Sequence, residues 1–242
     1  MNRQLYLECY SGISGDMTVA ALLDLGADEQ ILRKALASLP VGGFEIAVTR
    51  KVKSGLDVCD FDVILDAEHE NHDHDMEYLH GHDHQHTHGH EHVHEDGSVH
   101  THEHHHHDHS HEHHHDHGHH HEHRGLHEIL HIIEHADMTE RAKETAVRIF
   151  RILAEAESKA HGVPADQVHF HEVGAVDSIV DILAVAVCLD NLDITEVIVP
   201  FLCEGQGSIR CQHGIIPVPV PAVVNIAQAH GLTLKPTGVQ GE

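Results

Sequence analysis

Leu5 and Leu7 alternate with polar neighbours between Gln4 and Tyr10, the two-residue period of a half-buried strand. A glycine turn follows, Ser11-Gly12-Ile13-Ser14-Gly15-Asp16, and the spacing lengthens to that of a helix from Met17 to Leu25, closed by Gly26. A second helix is expected from Asp28 to Leu39, with Asp28 as its cap and Pro40 as its stop. Two strands come next, Phe44 to Val52 and Val58 to Leu65, joined through Lys53-Ser54-Gly55. The order β-α-α-β-β marks a mixed α/β beginning.

The hydrophobic pattern then stops. Residues 68–123 contain almost no apolar side chains, so nothing there offsets the entropy of ordering the chain. The expectation is a disordered loop between two halves of one globular unit, 1–67 before it and a helix-rich 124–242 after it. The pattern resumes with a short helix, Leu126 to Glu134, and a longer one from Met138 to Ala160. Asp137 with Glu140 three residues on resembles a capping box. Ala142, Ala146, Ile149, Phe150 and Leu153 make one apolar face, and Gly162 and Pro164 end the helix. A third helix is expected from Ala175 to Leu189, after the break at Gly174, and Val197 to Leu202 is a β-branched strand candidate. Pro217, Pro219 and Pro221 hold the next stretch extended, and Pro221 suits the first turn of a last helix through Ala229. The fold class is therefore α/β, a mixed α/β globular unit interrupted by a long disordered His-rich insertion.

Composition narrows the partners. Aromatic content is 3% with no Trp, so aliphatic side chains must fill the core. Asp and Glu outnumber Lys and Arg by 40 to 14, and the formal charge of −26 has the sign of nucleic acid and of anionic membranes, which excludes both as partners. The 35 histidines make that charge strongly pH-dependent. Cys9, Cys59, Cys188, Cys203 and Cys211 are odd in number and lack CxxC spacing, so no disulfide framework is expected. Met1 to Tyr10 lacks the basic and apolar regions of a signal peptide. The most apolar run, Ser178 to Leu189, is too short for a bilayer and contains Asp181. A cytoplasmic location is the expectation.

Four stretches could carry chemistry. The first is the tract: 27 of the 35 histidines lie between His69 and His123, among them His82, His84, His86, His104, His105, His106 and His107. Neutral imidazole suits nickel, copper and zinc, and carboxylates such as Asp73, Asp83, Glu103, Asp108 and Asp116 add ligands and balance charge. A solvated polyampholyte is the plainer alternative, and an expression tag is disfavoured because the run is internal, imperfect and acidic. The second is His169-Phe170-His171-Glu172-Val173-Gly174-Ala175-Val176-Asp177, where His169 and His171 share one side of an extended chain. Asp177 and Asp181 lie one helical turn apart, so two imidazoles and two carboxylates could face one pocket, with Glu172 as a base; hydrogen-bonded structural histidines are the alternative. The third is the Ser11–Asp16 turn, where Ser11, Gly12, Gly15 and Asp16 could cradle an anion, although it lacks a P-loop lysine and a tight turn explains it equally well. The fourth is Gly205 to Gly214, where Cys211 and His213 at i, i+2 could ligate a metal and Arg210 could hold a phosphate or carboxylate. A glycine-rich loop with an incidental thiol remains open there. Composition does not separate nickel from zinc.

In this order the motifs resemble one family. Ser11-Gly12-Ile13-Ser14-Gly15-Asp16-Met17 looks like the opening motif of the LarC nickel-insertion family. His169 through Ile182, HFHEVGAVDSIVDI, is very similar to its most distinctive stretch, and Cys211-Gln212-His213-Gly214 with Pro217-Val218-Pro219-Val220-Pro221-Ala222 resembles a third motif. A histidine-rich insertion at this point also recurs in the family, and the resemblance covers essentially the whole chain outside the tract. It implies a metal chelatase-type lyase that inserts nickel into pyridinium-3,5-bisthiocarboxylic acid mononucleotide. That step completes the nickel-pincer nucleotide cofactor of lactate racemase, whose apoenzyme would be the downstream recipient. It also implies CTP as cosubstrate, with Mg or Mn, at a site in a further C-terminal domain that family members carry past Gly241-Glu242. That domain would act in fusion or as a separate chain, and a homo-oligomer is compatible with the resemblance. The rival readings are a nickel store or metallochaperone without catalysis of its own, and a metal-dependent hydrolase using His169, His171 and Asp177.

Overall fold

A computed structural model of the chain describes residues 3–66, 91–93, 99–101, 124–170, 175–211 and 213–241. Strand β1 (Arg3–Tyr6) leads into the glycine turn, and helix α1 (Gly15–Asp24) starts from it. Helix α2 (Glu29–Ala37) is capped by Asp28, whose side chain accepts from the backbone N–H groups of Gln30 and Ile31. Leu32, Ala35 and Leu36 form its buried face, at helical spacing. Strands β2 (Phe44–Lys53) and β3 (Leu56–Leu65) pair antiparallel along their full length, and the Lys53–Leu56 pair leaves Ser54-Gly55 as a two-residue hairpin turn. Within the tract, β4 (Glu91–Val93) and β5 (Val99–Thr101) pair antiparallel; the disorder expected of the rest of the tract falls outside the described residues.

The second half begins with β6 (Arg124–Gly125) and helix α3 (Leu126–His135). Helix α4 (Glu140–His161) starts later than the expected Met138. Its cap is Thr139, whose hydroxyl accepts from the Ala142 N–H at 3.2 Å, while the Asp137 carboxylate is taken by Lys34 at 2.8 Å. A cap needs an oxygen over the first turn, and Asp137 sits two residues too early to supply it. Strand β7 (His169–Phe170) pairs with β6, and helix α5 (Val176–Asn191) follows. Helix α5 is buried on most sides, with Ile179, Val180, Leu183, Ala184 and Ala186 at 1% exposure or less, and it packs against α1, α2, α4 and β3. A helix apolar all round belongs at the centre of a core, which explains why so many valines stay helical here. Phe150 of α4 is fully buried and meets Phe170 edge to face at 6.3 Å between ring centres.

Strand β8 (Ile194–Ile198) lies parallel to β1. It stops short of the expected Leu202 because Pro200 has no N–H for the ladder. Strand β9 (Leu202–Cys211) then forms the middle of a three-stranded sheet, antiparallel to β10 (Gly214–Val218) and parallel to β11 (Leu234–Gln240), with helix α6 (Pro221–His230) between the last two. Residues 205–211, for which a glycine-rich loop was one open alternative, are part of this strand. A Cβ at Gly205 would lie 1.6 Å from the Gly241 carbonyl oxygen, so the glycine admits a neighbouring backbone where a side chain cannot go. The strand is defined by its ladder rather than by alternating apolar side chains, and alternation was the signal available. Among the described residues no helix is long and apolar enough to cross a membrane.

Candidate functional site

The last turn of α4 brings Glu157 and His161 to the surface, and the left-handed Gly162 ends the helix there. Strand β7 places His169 beside them, with its neighbour Phe170 turned into the core. The β9–β10 turn supplies Cys211 and His213, and Ile216, Val220 and Ala222 wall the opposite side. Together they line a cleft of ≈ 200 Å³. His161 Nε2 lies 3.4 Å from Glu157 Oε2, the imidazoles of His161 and His213 are 4.9 Å apart between centres, and Cys211 Sγ is 3.8 Å from His213 Nδ1. Among the described residues, no three His, Cys, Asp or Glu side chains stand already gathered as a closed cage for an ion.

His123 is followed by Arg124, which pairs in the β6–β7 ladder with Phe170, and Gly125 pairs with His169. Of the residues singled out in the sequence, His169, Cys211 and His213 are thus brought together. His161 and Glu157 were not foreseen. Their one signal was a Glu and a His four residues apart at the end of a helix, a spacing shared by many solvated pairs.

Asp177 and Asp181 are drawn elsewhere. Helix α5 sets the Asp181 side chain against the start of α1, so closely that a Cβ on Gly15 would lie 2.5 Å from Asp181 Oδ2. The Asp181 carboxyl is pushed up to about 7, first by burial and then by the charges of Asp16 and Asp177, against a backbone hydrogen bond from Asp16 that favours the ionised form. One oxygen each of Asp177 and Asp181 is shielded from solvent without a hydrogen-bond partner. The Ser11–Asp16 turn therefore faces carboxylates, and the Asp16 backbone N–H donates to Asp181. Ser14 donates to the Asp16 carboxylate rather than capping α1. On the flank of the turn, Tyr10 stacks on Phe201 at 4.9 Å, and the Lys235 ammonium lies 3.3 Å from the Phe201 ring centre.

Arg210 is exposed on β9 and points away from the face that Cys211 uses, as neighbours in a strand must. Cys9 and Cys188 are poorly suited to ligation. Burial pushes Cys188 up to about 12, and burial with the nearby Cys203 raises Cys9. His171, Glu172, His82, His84, His86, His104, His105, His106 and His107 lie outside the described residues.

Imidazole and thiol donors gathered in one cleft, in a chain that also carries a histidine tract, have the chemistry of a protein that handles borderline divalent metals. The chain belongs to the nickel insertion protein family, whose description, "Nickel insertion protein", matches residues 5–242. It is similar to the pyridinium-3,5-bisthiocarboxylic acid mononucleotide nickel insertion protein of Alkaliphilus metalliredigens, 49% identical over 242 residues that cover 100% of this chain and 49% of that protein. The protein of the same name from Clostridium acetobutylicum is 44% identical over 225 residues, covering 93% of this chain and 49% of its own length. The one from Acetivibrio thermocellus is 37% identical over 224 residues, covering 93% and 44%. The chain spans about half the length of the curated relatives it matches. No solved structure matches it.

Proposed function

We propose that this chain is the nickel-receiving part of an insertase that places nickel in pyridinium-3,5-bisthiocarboxylic acid mononucleotide. The observation that carries the reading is the cleft that gathers His161, His169, Cys211 and His213, with Gly125, two residues past the tract in sequence, paired to His169 in the β6–β7 ladder. The tract collects nickel on imidazole and carboxylate. The cleft adds a thiol, and the substrate's two thiocarboxylates complete a path of increasing sulfur content. Exchange along such a path suits an ion accepted by both imidazole and sulfur.

On this reading the reaction is that of a metal chelatase-type lyase. The part of the relatives beyond this chain supplies a CTP site with Mg or Mn, since the globular parts here are net acidic and contain no P-loop lysine to offset a triphosphate. Lactate racemase apoenzyme then receives the finished cofactor. The experiment supplies the chain with nickel, the dithio substrate and CTP, with and without the C-terminal half of a relative in trans. Nickel should enter the substrate, with CMP and pyrophosphate released, only when both parts are present. The tract favours one rival, a nickel store, and nickel bound by the chain but never transferred in the complete mixture would establish it instead.

A further inference from the structure

The cleft geometry points to a nickel site in which His161, Cys211 and His213 are the ligands and Glu157 is the residue that positions His161. The inference rests on the nickel-insertion reading and deepens it.

Ligand geometry sets the spacings such a site requires. An imidazole ligated at about 2.1 Å has its ring centre about 3.2 Å from the metal, so two such rings lie about 4.5 Å apart at right angles and about 5.2 Å apart in a tetrahedral arrangement. The rings of His161 and His213 are 4.9 Å apart, between those limits. A thiolate at about 2.3 Å and an imidazole nitrogen at about 2.1 Å place sulfur and nitrogen about 3.6 Å apart in a tetrahedral arrangement. Cys211 Sγ and His213 Nδ1 are 3.8 Å apart. His213 thus keeps ligand spacing to both neighbours.

Glu157 supplies the support a metal-bound histidine ordinarily has. Its carboxylate lies 3.4 Å from His161 Nε2, one helical turn back on α4. With Nε2 beside a carboxylate, Nδ1 is the nitrogen left to face the metal. Both residues sit in the last turns of a long helix, whereas Cys211 ends β9 and His213 lies in the turn after it. The helix end supplies the imidazole of His161, and the end of β9 supplies the sulfur.

The test uses the full chain and reads sulfur alone. The tract contains no cysteine, so nickel bound there gives no thiolate-to-nickel charge-transfer absorbance. Nickel titration of the wild type should give a saturable charge-transfer band. Cys211→Ser should abolish it, and Cys203→Ser should leave it intact. Glu157→Gln should keep the band but need about tenfold more nickel for half-saturation, the lower end of the range for loss of such a support. Glu157→Asp should recover part of that loss, and circular dichroism establishes that each variant is folded. A wild type without the band, a band that survives Cys211→Ser, or a Glu157→Gln titration superimposable on wild type overturns the assignment. Nickel transfer to the dithio substrate, measured in parallel, separates the two failures. Transfer that persists without the band sinks only this ligand set, whereas no transfer in the complete mixture sinks the insertase reading.

Discussion

His169 and Asp181 come from one motif, twelve residues apart, yet they serve different surroundings. His169 opens on the cleft, and Asp181 is pressed against Gly15. Replacing His161 and His169 together with Ala is expected to lower nickel insertion by tenfold or more in excess nickel while the helical circular dichroism signal is kept. Unchanged insertion with only a lower melting temperature would show that these histidines are structural. Asp181 makes a prediction of opposite kind. An unfolded Asp titrates near about 3.9, and here the folded group titrates at about 7. Between these values the folded state holds the extra proton, so stability is lost as pH rises through that window and the penalty is full above it. Asp181→Asn should therefore match wild type near pH 4 and be more stable near pH 8. Melting curves at the two pH values decide it, and an equal difference at both would mean the carboxyl is not raised.

At the scale of elements, the helices and the β2–β3 hairpin were legible, and the three-stranded sheet around β9 was not. The periodic faces of α2 and α4 and the caps at Asp28 and Gly162 announce themselves within a few residues. Strand β9 does not, because its partners β10 and β11 supply the ladder and its glycines supply room. The contact of α1 with α5 was also hidden, since Gly15 looked like a turn residue and acts as the place where two helices close on each other. Gly15→Ala is expected to destabilise the fold by about 1–3 kcal/mol, the usual cost of forcing an extra group into a packed contact. Urea denaturation measures it, and a change below about 0.5 kcal/mol would mean that the Asp181 side chain simply swings aside.

For the whole molecule, the tract and the globular unit are expected to be separable. The buried core is drawn from residues on either side of the tract, so removal of residues 68–123 should leave a folded protein. Insertion should then fall mainly when nickel is scarce and recover in excess nickel. In the intact chain most bound nickel should dissociate below about pH 6, because protonated imidazole cannot ligate. Calorimetric titration of both proteins at neutral and mildly acid pH tests the pair of expectations. A deletion that unfolds, or stays inactive in excess nickel, would make the tract part of the machinery.

The sequence by itself determined the mixed α/β class, the helices and the family. These follow from composition, from local periodicity and from uninterrupted motifs, all of which are written along the chain. Only the tertiary structure decided which donors meet. His161, His169, Cys211 and His213 come from a helix end, a two-residue strand and a strand–strand turn, and their convergence depends on how α4, β7 and β9 pack. The same packing carried Asp177 and Asp181 away to the glycine turn. Spacing in sequence fixes which side of its own element a residue occupies; what that side faces is set by the packing of elements distant in sequence.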